Sequence, residues 1–251
     1  MDSCDHHEGE AGSESSRTTS HVSLWQFFLC FALFSGAIAG CAFTFSFEEQ
    51  FNYPDGNLVG QAGWQVQSAG GTNPIQVSSG EAVLTQDAGS REDAYHSMGT
   101  GLTGDVTVAF EFTVSDDTPI DGSDSEYFFH LNDEGTFNFR ARIDLVLATG
   151  ADFNIGISTA TSTAEGTTTV GFSYNTPYVA IVTYQTGQPA TVEIRDAATC
   201  ATLDSASGTG TSTDQVDTLN LRQSTSSNGE TIRLNWVGVV TSLAPPMLPT
   251  E

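Results

Sequence analysis

The chain has 251 residues with 31 acidic side chains, seven arginines and no lysine, and its formal net charge at pH 7 is −24. Nucleic acids and anionic membranes need clustered cations that neutralise phosphates, so this composition argues against both as partners. Without lysine the chain also cannot form a Walker-type phosphate loop or a Schiff base. The acids are scattered rather than grouped, which favours adaptation to a salty habitat over a role of the charge in ligand binding.

Residues 1–40 are predicted to be an export leader. Apolar residues with hardly any charge run from Val22 to Ala39, and small residues precede Cys41. An apolar stretch of this length before small residues is typical of a signal peptide. Residues 1–21 contain five acids and one arginine, which is unusual for a leader and leaves the true start open. We expect the working protein outside the cytoplasm, either secreted or at the cell surface.

The end of the leader has three alternative fates. Ile38-Ala39-Gly40-Cys41 resembles the lipobox of bacterial lipoproteins, in which the cysteine is acylated and becomes the new N-terminus. Simple cleavage after Ala39 and an uncleaved transmembrane anchor are the alternatives. If Cys41 carries a lipid, Cys200 is a lone thiol; if it does not, the two can pair in an oxidising compartment. Membrane contact is expected only through this segment, as in an outer-membrane lipoprotein.

The rest of the chain is predicted to be one domain. Residues 41–243 have the length of a single all-β domain, and a short Pro-rich tail follows at 244–251. Without the leader, the chain keeps 26 acids and six arginines, which is a net charge of −20.

Alternation of apolar and polar residues predicts strand after strand in this domain. The clearest strand runs from 137 to 147, with an apolar face and a polar face that carries Asn138, Arg140, Arg142 and Asp144. Further strands are predicted at 43–48, 106–114, 153–157, 178–184, 192–194, 219–221 and 232–236. Stretches rich in Ser, Thr and Gly at 158–169 and 205–214 are predicted to be loops.

This pattern predicts an all-β fold in which two antiparallel sheets form a sandwich. Each alternating strand has one apolar face to bury, and two stacked sheets bury such faces against each other. No helical periodicity extends beyond one turn.

Several short segments, in a constant order, resemble concanavalin A-like, LamG-like jelly-roll modules of secreted bacterial surface proteins. The segments are 47–53, 55–58, 63–64, 73–77, 93–95, Tyr127-Phe128-Phe129-His130-Leu131, Phe139-Arg140-Ala141-Arg142, 154–158, 175–178 and 221–223. The resemblance covers residues 43–241 and implies a two-sheet jelly roll, in which the strand at 43–48 pairs with the strand at 231–240. It implies little about activity, because that superfamily includes lectins, glycan-binding modules, glycosidases and structural domains.

The residues do not indicate a catalytic centre. Jelly-roll glucanases carry a Glu-x-Asp-x-x-Glu run whose carboxylates lie on one side of a strand, and this chain has no such run. It also has no Gly-x-Ser-x-Gly or His-Glu-x-x-His motif of serine or zinc hydrolases. A glycoside hydrolase or a polysaccharide lyase stays open as the enzymatic alternative, and the candidate lyase residues are Tyr95, His96, His130, Arg140 and Arg142.

Binding of a polysaccharide or cell-surface glycan is the better supported function. Glycans are held by aromatic rings and planar polar side chains, and the polar face of the 137–147 strand offers the latter. The candidate ligand-binding residues are Trp64, Tyr95, His130, Asn138, Arg140, Arg142, Asp144 and Arg222. We hypothesise that Arg140 and Arg142, at alternate positions about 7 Å apart, bind uronate or sulfate groups.

Structural interpretations compete with this one. The arginines can instead balance neighbouring acids, and Trp64 can plug the edge of the sandwich. In that case the chain is a structural or adhesive surface protein that binds no sugar.

Calcium is the candidate cofactor, because it prefers about six to eight oxygen ligands. The acids that crowd one loop are Asp116, Asp117, Asp121, Asp124 and Glu126. The alternative is a solvated acidic loop. The family resemblance implies a second calcium position between the first and last strands, near Glu48 or Glu49 and Asn235.

Overall fold

The computed structural model describes residues 41–86, 91–99, 105–115, 126–134, 136–223 and 229–243. The strands within these ranges are β1 (Phe43–Glu49), β2 (Gly56–Asn57), β3 (Gln65–Ser68), β4 (Gln76–Ser78), β5 (Glu81–Thr85), β6 (Asp93–Ser97), β7 (Val106–Ser115), β8 (Glu126–Asn132), β9 (Arg140–Leu147), β10 (Phe153–Ser158), β11 (Gly166–Thr167), β12 (Pro177–Tyr184), β13 (Thr191–Asp196), β14 (Thr202–Ser207), β15 (Thr218–Arg222) and β16 (Thr231–Leu243). The same ranges contain no helix, and so none that could cross a membrane. The leader and tail predicted at 1–40 and 244–251 lie outside the described residues and remain predictions.

Two antiparallel sheets stack face to face. One has nine strands in the order β14-β13-β12-β7-β16-β5-β4-β2, with β1 also beside β16. The other has seven, in the order β11-β10-β9-β8-β15-β6-β3. Buried apolar side chains fill the space between them; the ring centroids of Phe110 on β7 and Phe129 on β8, for example, are 4.7 Å apart. The predicted all-β fold, a sandwich of two antiparallel sheets, is therefore confirmed.

The first and last strands pair, as the resemblance implied. Phe43 pairs with Leu243 at one end of β1, and Glu49 pairs with Val237 at the other. The first part of β16 pairs with β5, while β7 pairs along its opposite edge. The first strand of the domain, β1, is thus held by β16, an interior strand of the nine-stranded sheet.

A disulfide joins Cys41, just before β1, to Cys200 in the turn between β13 and β14. It adjoins an apolar cluster on the outer face of the nine-stranded sheet that includes Phe43, Ile181 and Trp236. A cysteine sulfur that is engaged in a disulfide cannot also carry a thioether-linked lipid. Of the two alternatives predicted from the sequence, a lipid on Cys41 or a disulfide with Cys200, the structure has the disulfide. The lipidation predicted for Cys41 is corrected accordingly.

Two strands occur where the composition predicted loops. β11 lies within 158–169, and β14 overlaps 205–214. Both are edge strands, which backbone hydrogen bonds hold without the apolar alternation that made other strands visible in the sequence. Gly166 allows β11 to approach β14 closely, because a Cβ atom there would lie 2.0 Å from the carbonyl oxygen of Ser207.

Glu165 joins the loops that follow β10 and β14. Its carboxylate accepts hydrogen bonds from the backbone amides of Thr209 and Gly210, both at 2.8 Å, and of Thr159 at 3.3 Å. Burial alone would raise the pKa of Glu165, but these bonds outweigh burial and lower the pKa. The carboxylate therefore stabilises this edge of the sandwich in its charged form.

We expect Glu165→Gln to lower the free energy of unfolding by about 1–3 kcal/mol at pH 7, because charged hydrogen bonds are lost. The folded pKa lies below the ordinary value of 4.5. The contribution of Glu165 is therefore complete above the ordinary pKa and disappears as the pH falls through the folded pKa. Urea unfolding at pH 7 and at about pH 3 measures both differences. Asp133→Asn, which removes an exposed carboxylate, is the control. An equal effect of Glu165→Gln at both pH values would contradict the assignment.

Candidate functional site

The outer face of the seven-stranded sheet, opposite the core, carries a layer of polar and aromatic side chains. Strand register aligns one row across β3, β6, β15 and β8, made of Gln65, Tyr95, Asn220 and His130. A second row runs across the same strands to β9 and contains Ser68, Asp93, Arg222, Tyr127 and Asp144. Neighbouring strands are about 4.8 Å apart, so side chains within a row are in reach of one another.

The centre of this face is a group that we call the Tyr127 cluster: Tyr127, His130, Phe139, Arg142 and Arg222. The Cζ atoms of Arg222 and Arg142 lie 4.1 and 4.8 Å from the ring centroid of Tyr127. The Phe139 ring centroid lies 4.2 Å from that of His130 and 6.1 Å from that of Tyr127. Cation–π and aromatic contacts thus hold two guanidinium groups and three rings together.

The positive charge of Arg222 is balanced within the sheet. Its Nη1 lies 3.2 Å from Glu126 Oε2, and its Nε lies 4.0 Å from Asp93 Oδ2. The same Asp93 oxygen accepts a hydrogen bond of 2.6 Å from Ser68. Burial raises the pKa of Asp93, against the opposing effects of Ser68 and Arg222. Arg222 is therefore a fixed part of the surface rather than a free cation.

Arg142 is held by rings and by one carbonyl group. Its Cζ lies 5.2 Å from the Phe139 ring centroid, and its Nη1 donates to the carbonyl oxygen of Thr161 at 2.5 Å. Its Nε is buried and has no hydrogen-bond partner among the described residues. One donor of this guanidinium group is therefore available for a further bond.

His130 is the most deeply buried polar residue of the Tyr127 cluster, with 1 % of its surface exposed. Neither of its ring nitrogens has a hydrogen-bond partner within the described part of the chain. Burial, and then the charges of Arg142 and Arg222, hold the pKa of His130 well below its ordinary value of 6.5. His130 is thus a neutral imidazole whose hydrogen-bonding capacity is unused beneath the Phe139 ring.

The position of Phe139 corrects the sequence analysis, which put Phe137 and Phe139 on the apolar face of one long strand. β9 begins only at Arg140, and Phe137 is 69 % exposed. Ala141 has a φ of 47°, and the pairing of β8 with β9 shifts register beside it. These irregularities interrupt the alternation, so that Phe139 lies on the outer face instead of in the core.

The prediction that Arg140 and Arg142 bind a ligand together is also corrected. Arg140 donates from Nε to Ser212 at 2.8 Å and from Nη1 to the Phe139 carbonyl at 2.7 Å, and its Nη2 forms an ion pair with Asp214. Nε and Nη2 thus hold the loop that precedes β15, and Nη1 is used by the carbonyl of the adjacent residue. Arg140 is therefore a structural residue, and only Arg142 faces the Tyr127 cluster.

Trp64 packs in the core and offers no surface on which a sugar could stack. This agrees with the interpretation that Trp64 plugs the sandwich, and not with its prediction as a ligand-binding residue. It is 2 % exposed, and its ring packs against those of Phe51 and His96. Its indole nitrogen donates to Glu49 Oε2 at 3.1 Å. Glu49 also accepts bonds from the Phe51 amide and the Tyr53 hydroxyl, so this carboxylate is engaged inside the sandwich.

The other predicted ligand residues lie on or beside the outer face. Tyr95 occupies the first row, and its hydroxyl donates to Gln65 at 3.1 Å. Asn138 is exposed next to Phe139, while Asp144 is buried in the second row. His96, the remaining member of the proposed lyase set, is separate from them, because its ring packs against Trp64 and Phe47.

Four residues of the predicted calcium loop lie outside the described residues: Asp116, Asp117, Asp121 and Asp124. Glu126 is described and pairs with Arg222. No group of three or more potential metal-binding residues occurs in the ranges that the structure covers. Glu48 and Asn235 do line one cleft of about 300 Å³ near the first and last strands, together with Gln50 and Asn52.

This cleft and a second one of about 300 Å³, on the outer face of the nine-stranded sheet, both lie outside the Tyr127 cluster. We nevertheless take the Tyr127 cluster as the candidate site, because it combines aromatic rings with several buried polar atoms that lack partners among the described residues.

Sequence reasoning missed Tyr127, Phe139 and Asn220 as site residues. Strict alternation would place Tyr127 and His130, three positions apart, on opposite faces. The register shift between Tyr127 and Phe129 brings both to the outer face. The available signal was the pair Phe128-Phe129, because two adjacent buried aromatics in an alternating strand indicate a bulge.

Comparisons with known proteins bear on the fold. No family model and no curated protein matches the sequence. One similar structure comes from work on endo-acting O-glycanases that human gut bacteria express to initiate mucin breakdown; the TM-score is 0.51 at 10% identity, over 78% of this chain and 98% of that chain. Another is a GH43 protein from Bacillus licheniformis, with a TM-score of 0.50 at 8% identity, over 78% of this chain and 39% of that chain. Basic winged bean lectin with Tn-antigen matches at a TM-score of 0.47 and 11% identity, over 79% and 99% of the two chains. At these identities the first two show that the fold is shared.

We expect His130→Leu to raise the free energy of unfolding by about 1–3 kcal/mol, because it replaces two unpartnered buried nitrogens with an apolar side chain of similar size. Urea unfolding at pH 7 measures the change. His96→Leu is the matched control and should lower stability, since the nitrogens of His96 contact the carbonyl oxygens of Ser97 and Ala62 at 2.7 and 2.9 Å. Equal destabilisation by the two substitutions would show that His130 has partners in solution.

Proposed function

We propose that the chain is an exported β-sandwich module that binds a polysaccharide or cell-surface glycan on the outer face of its seven-stranded sheet. The observation that carries the proposal is the Tyr127 cluster, where aromatic rings and planar polar side chains adjoin on one surface. Glycan sites combine these two features, because the apolar faces of a sugar pack on rings while its hydroxyl groups bond to amides, imidazoles and guanidinium groups.

The surface around the cluster supports the binding of a chain rather than a single sugar. The row from Gln65 to His130 crosses four strands, which is about 14 Å. Phe137 is exposed at one side, with its ring centroid 6.0 Å from that of Phe139. Tyr95 lies in the row, and Asn138 is exposed next to Phe139 in the chain. These residues offer ring faces and amide groups on both sides of the buried centre.

Two further observations support parts of the proposal. The fold is shared with a structure from work on mucin-degrading O-glycanases and with a GH43 protein, which fits a glycan as the class of partner. The disulfide between Cys41 and Cys200 fits export, because such bonds persist in oxidising compartments and are rare in the cytosol.

The second candidate is a structural or adhesive module that recognises no sugar. It is favoured by the ion pairs of Arg140, Arg195, Arg222 and Arg233 with acids of the same chain. These pairs engage four guanidinium groups internally, whereas binding of a glycan would use the rings, amides and imidazole of the outer face together with Arg142. The two candidates are therefore separated by a binding measurement.

We expect electrophoresis of the purified protein in gels that contain a panel of polysaccharides to show retardation by at least one of them. The double variant Tyr95→Ala/Phe137→Ala should weaken this retention at least about tenfold, which corresponds to about 1.4 kcal/mol. The matched control is Leu203→Ala, which shortens an exposed apolar side chain on the other sheet. Parallel gels with Ca²⁺ and with a chelator test the calcium prediction. No retention by any polysaccharide would favour the structural module.

A further inference from the structure

We infer that the Tyr127 cluster is the subsite for a neutral sugar unit. Two neighbouring hydroxyl groups of the sugar bond to His130, Arg142 and Asn220, in the space that the Phe139 ring fills in the structure. This inference rests on the proposed function and adds to it the class of sugar and the contacting groups. Asn220 belongs to the subsite because it lies directly opposite His130 in the pairing of β15 with β8.

Four hydrogen-bonding positions of the subsite have no partner among the described residues. A neutral imidazole has one donor and one acceptor nitrogen, and both nitrogens of His130 are unpartnered. The Nε–H of Arg142 is a second donor, and Oδ1 of Asn220 is a second acceptor. Folded proteins leave few buried polar atoms unpaired, and a cluster of exceptions is typical of a site that a polar ligand completes.

The orientation of the Asn220 amide follows from its neighbours. The Thr218 hydroxyl donates to the carbonyl oxygen of Asn132 at 3.0 Å. Because a hydroxyl has one proton, Thr218 can only accept the bond of 3.1 Å that it forms with Asn220. The Asn220 nitrogen therefore faces Thr218, which leaves the Asn220 oxygen as the unpartnered atom.

Two donors and two acceptors match a pair of hydroxyl groups, each of which accepts one bond and donates another. A carboxylate or sulfate group only accepts, so it would leave the acceptor nitrogen of His130 and the oxygen of Asn220 facing negative charge. Asp144 is buried in the adjacent row, and Glu126 with Asp93 already surrounds Arg222. The subsite thus favours a neutral sugar over the uronate or sulfate units hypothesised from the sequence.

Phe139 can yield its place without disruption of the sheet. It lies in the segment 136–139, which forms no strand. The segment is joined to the end of β8 by bonds between Thr136 and Asn132, which do not involve the Phe139 side chain. A rotation of that side chain uncovers His130 and leaves the rings of Phe139 and Phe137 beside the bound sugar.

The test is affinity electrophoresis of the purified protein in gels with dextran, galactan or mannan, and with the carboxymethylated form of each polymer. Salt of about 0.5 M reduces the screening length to about 4 Å, so that long-range repulsion by the acidic protein does not decide the result. We expect at least one neutral polymer to retard the protein, and its carboxymethylated form to bind at least tenfold more weakly.

Variants locate the contact. His130→Leu and Asn220→Leu should each weaken binding of the neutral polymer tenfold or more, with the fold checked by near-ultraviolet circular dichroism. Arg233→Gln, which removes an arginine paired with Glu81 on the other sheet, is the control and should bind as wild type does. Stronger binding of a carboxymethylated polymer, or unchanged binding by both variants, would overturn the inference and leave the proposed function standing. If no polymer of either kind retards the protein, the proposed function fails as well.

Discussion

Register shifts in the pairing of β8 with β9 determine where Tyr127, His130 and Phe139 of the Tyr127 cluster lie. In a regular strand a displacement of one residue moves a side chain to the opposite face. The shift after Tyr127 sends Phe128 and Phe129 into the core and keeps both Tyr127 and His130 outside. The irregular backbone at Ala141 then allows the preceding segment to lay Phe139 over His130. Without these shifts, the outer face would be an ordinary polar surface.

The protein engages its few cations within its own fold. Arg140, Arg195, Arg222 and Arg233 each form an ion pair with an acid of the chain, and Arg142 lies between two aromatic rings. A chain with a net charge of −24 has little means of attracting a polyanion. The recognition proposed for the outer face therefore depends on hydrogen bonds and ring contacts. The buried polar atoms of His130 and Asn220 cost stability, and such a cost is typical of residues kept for function.

The sequence predicted the alternating strands and the pairing of the first strand with the last, but few of the side-chain contacts between residues that are distant in the chain. Residues 106–114 alternate because one face of β7 packs in the core and the other faces outward, and the sequence predicts their strand. The pairing of β1 with β16 followed from the family resemblance. By contrast, Arg140 pairs with Asp214, and Trp64 donates to Glu49, through contacts that no local pattern contains. Phe139 was misplaced because periodicity assumes a regular strand, whereas a bulge changes the face without changing the composition.

The environment of His130 is the most direct indicator of whether the outer face binds sugar in the way described. Long-range ¹H–¹⁵N spectra report the two nitrogens of each imidazole ring separately, and His96 provides an internal control because both its nitrogens contact carbonyl oxygens. During titration with an oligosaccharide derived from a neutral polymer that retards the protein, we expect the His130 resonances to shift and those of His96 to stay in place. Saturable binding that leaves the His130 resonances unchanged would contradict the account.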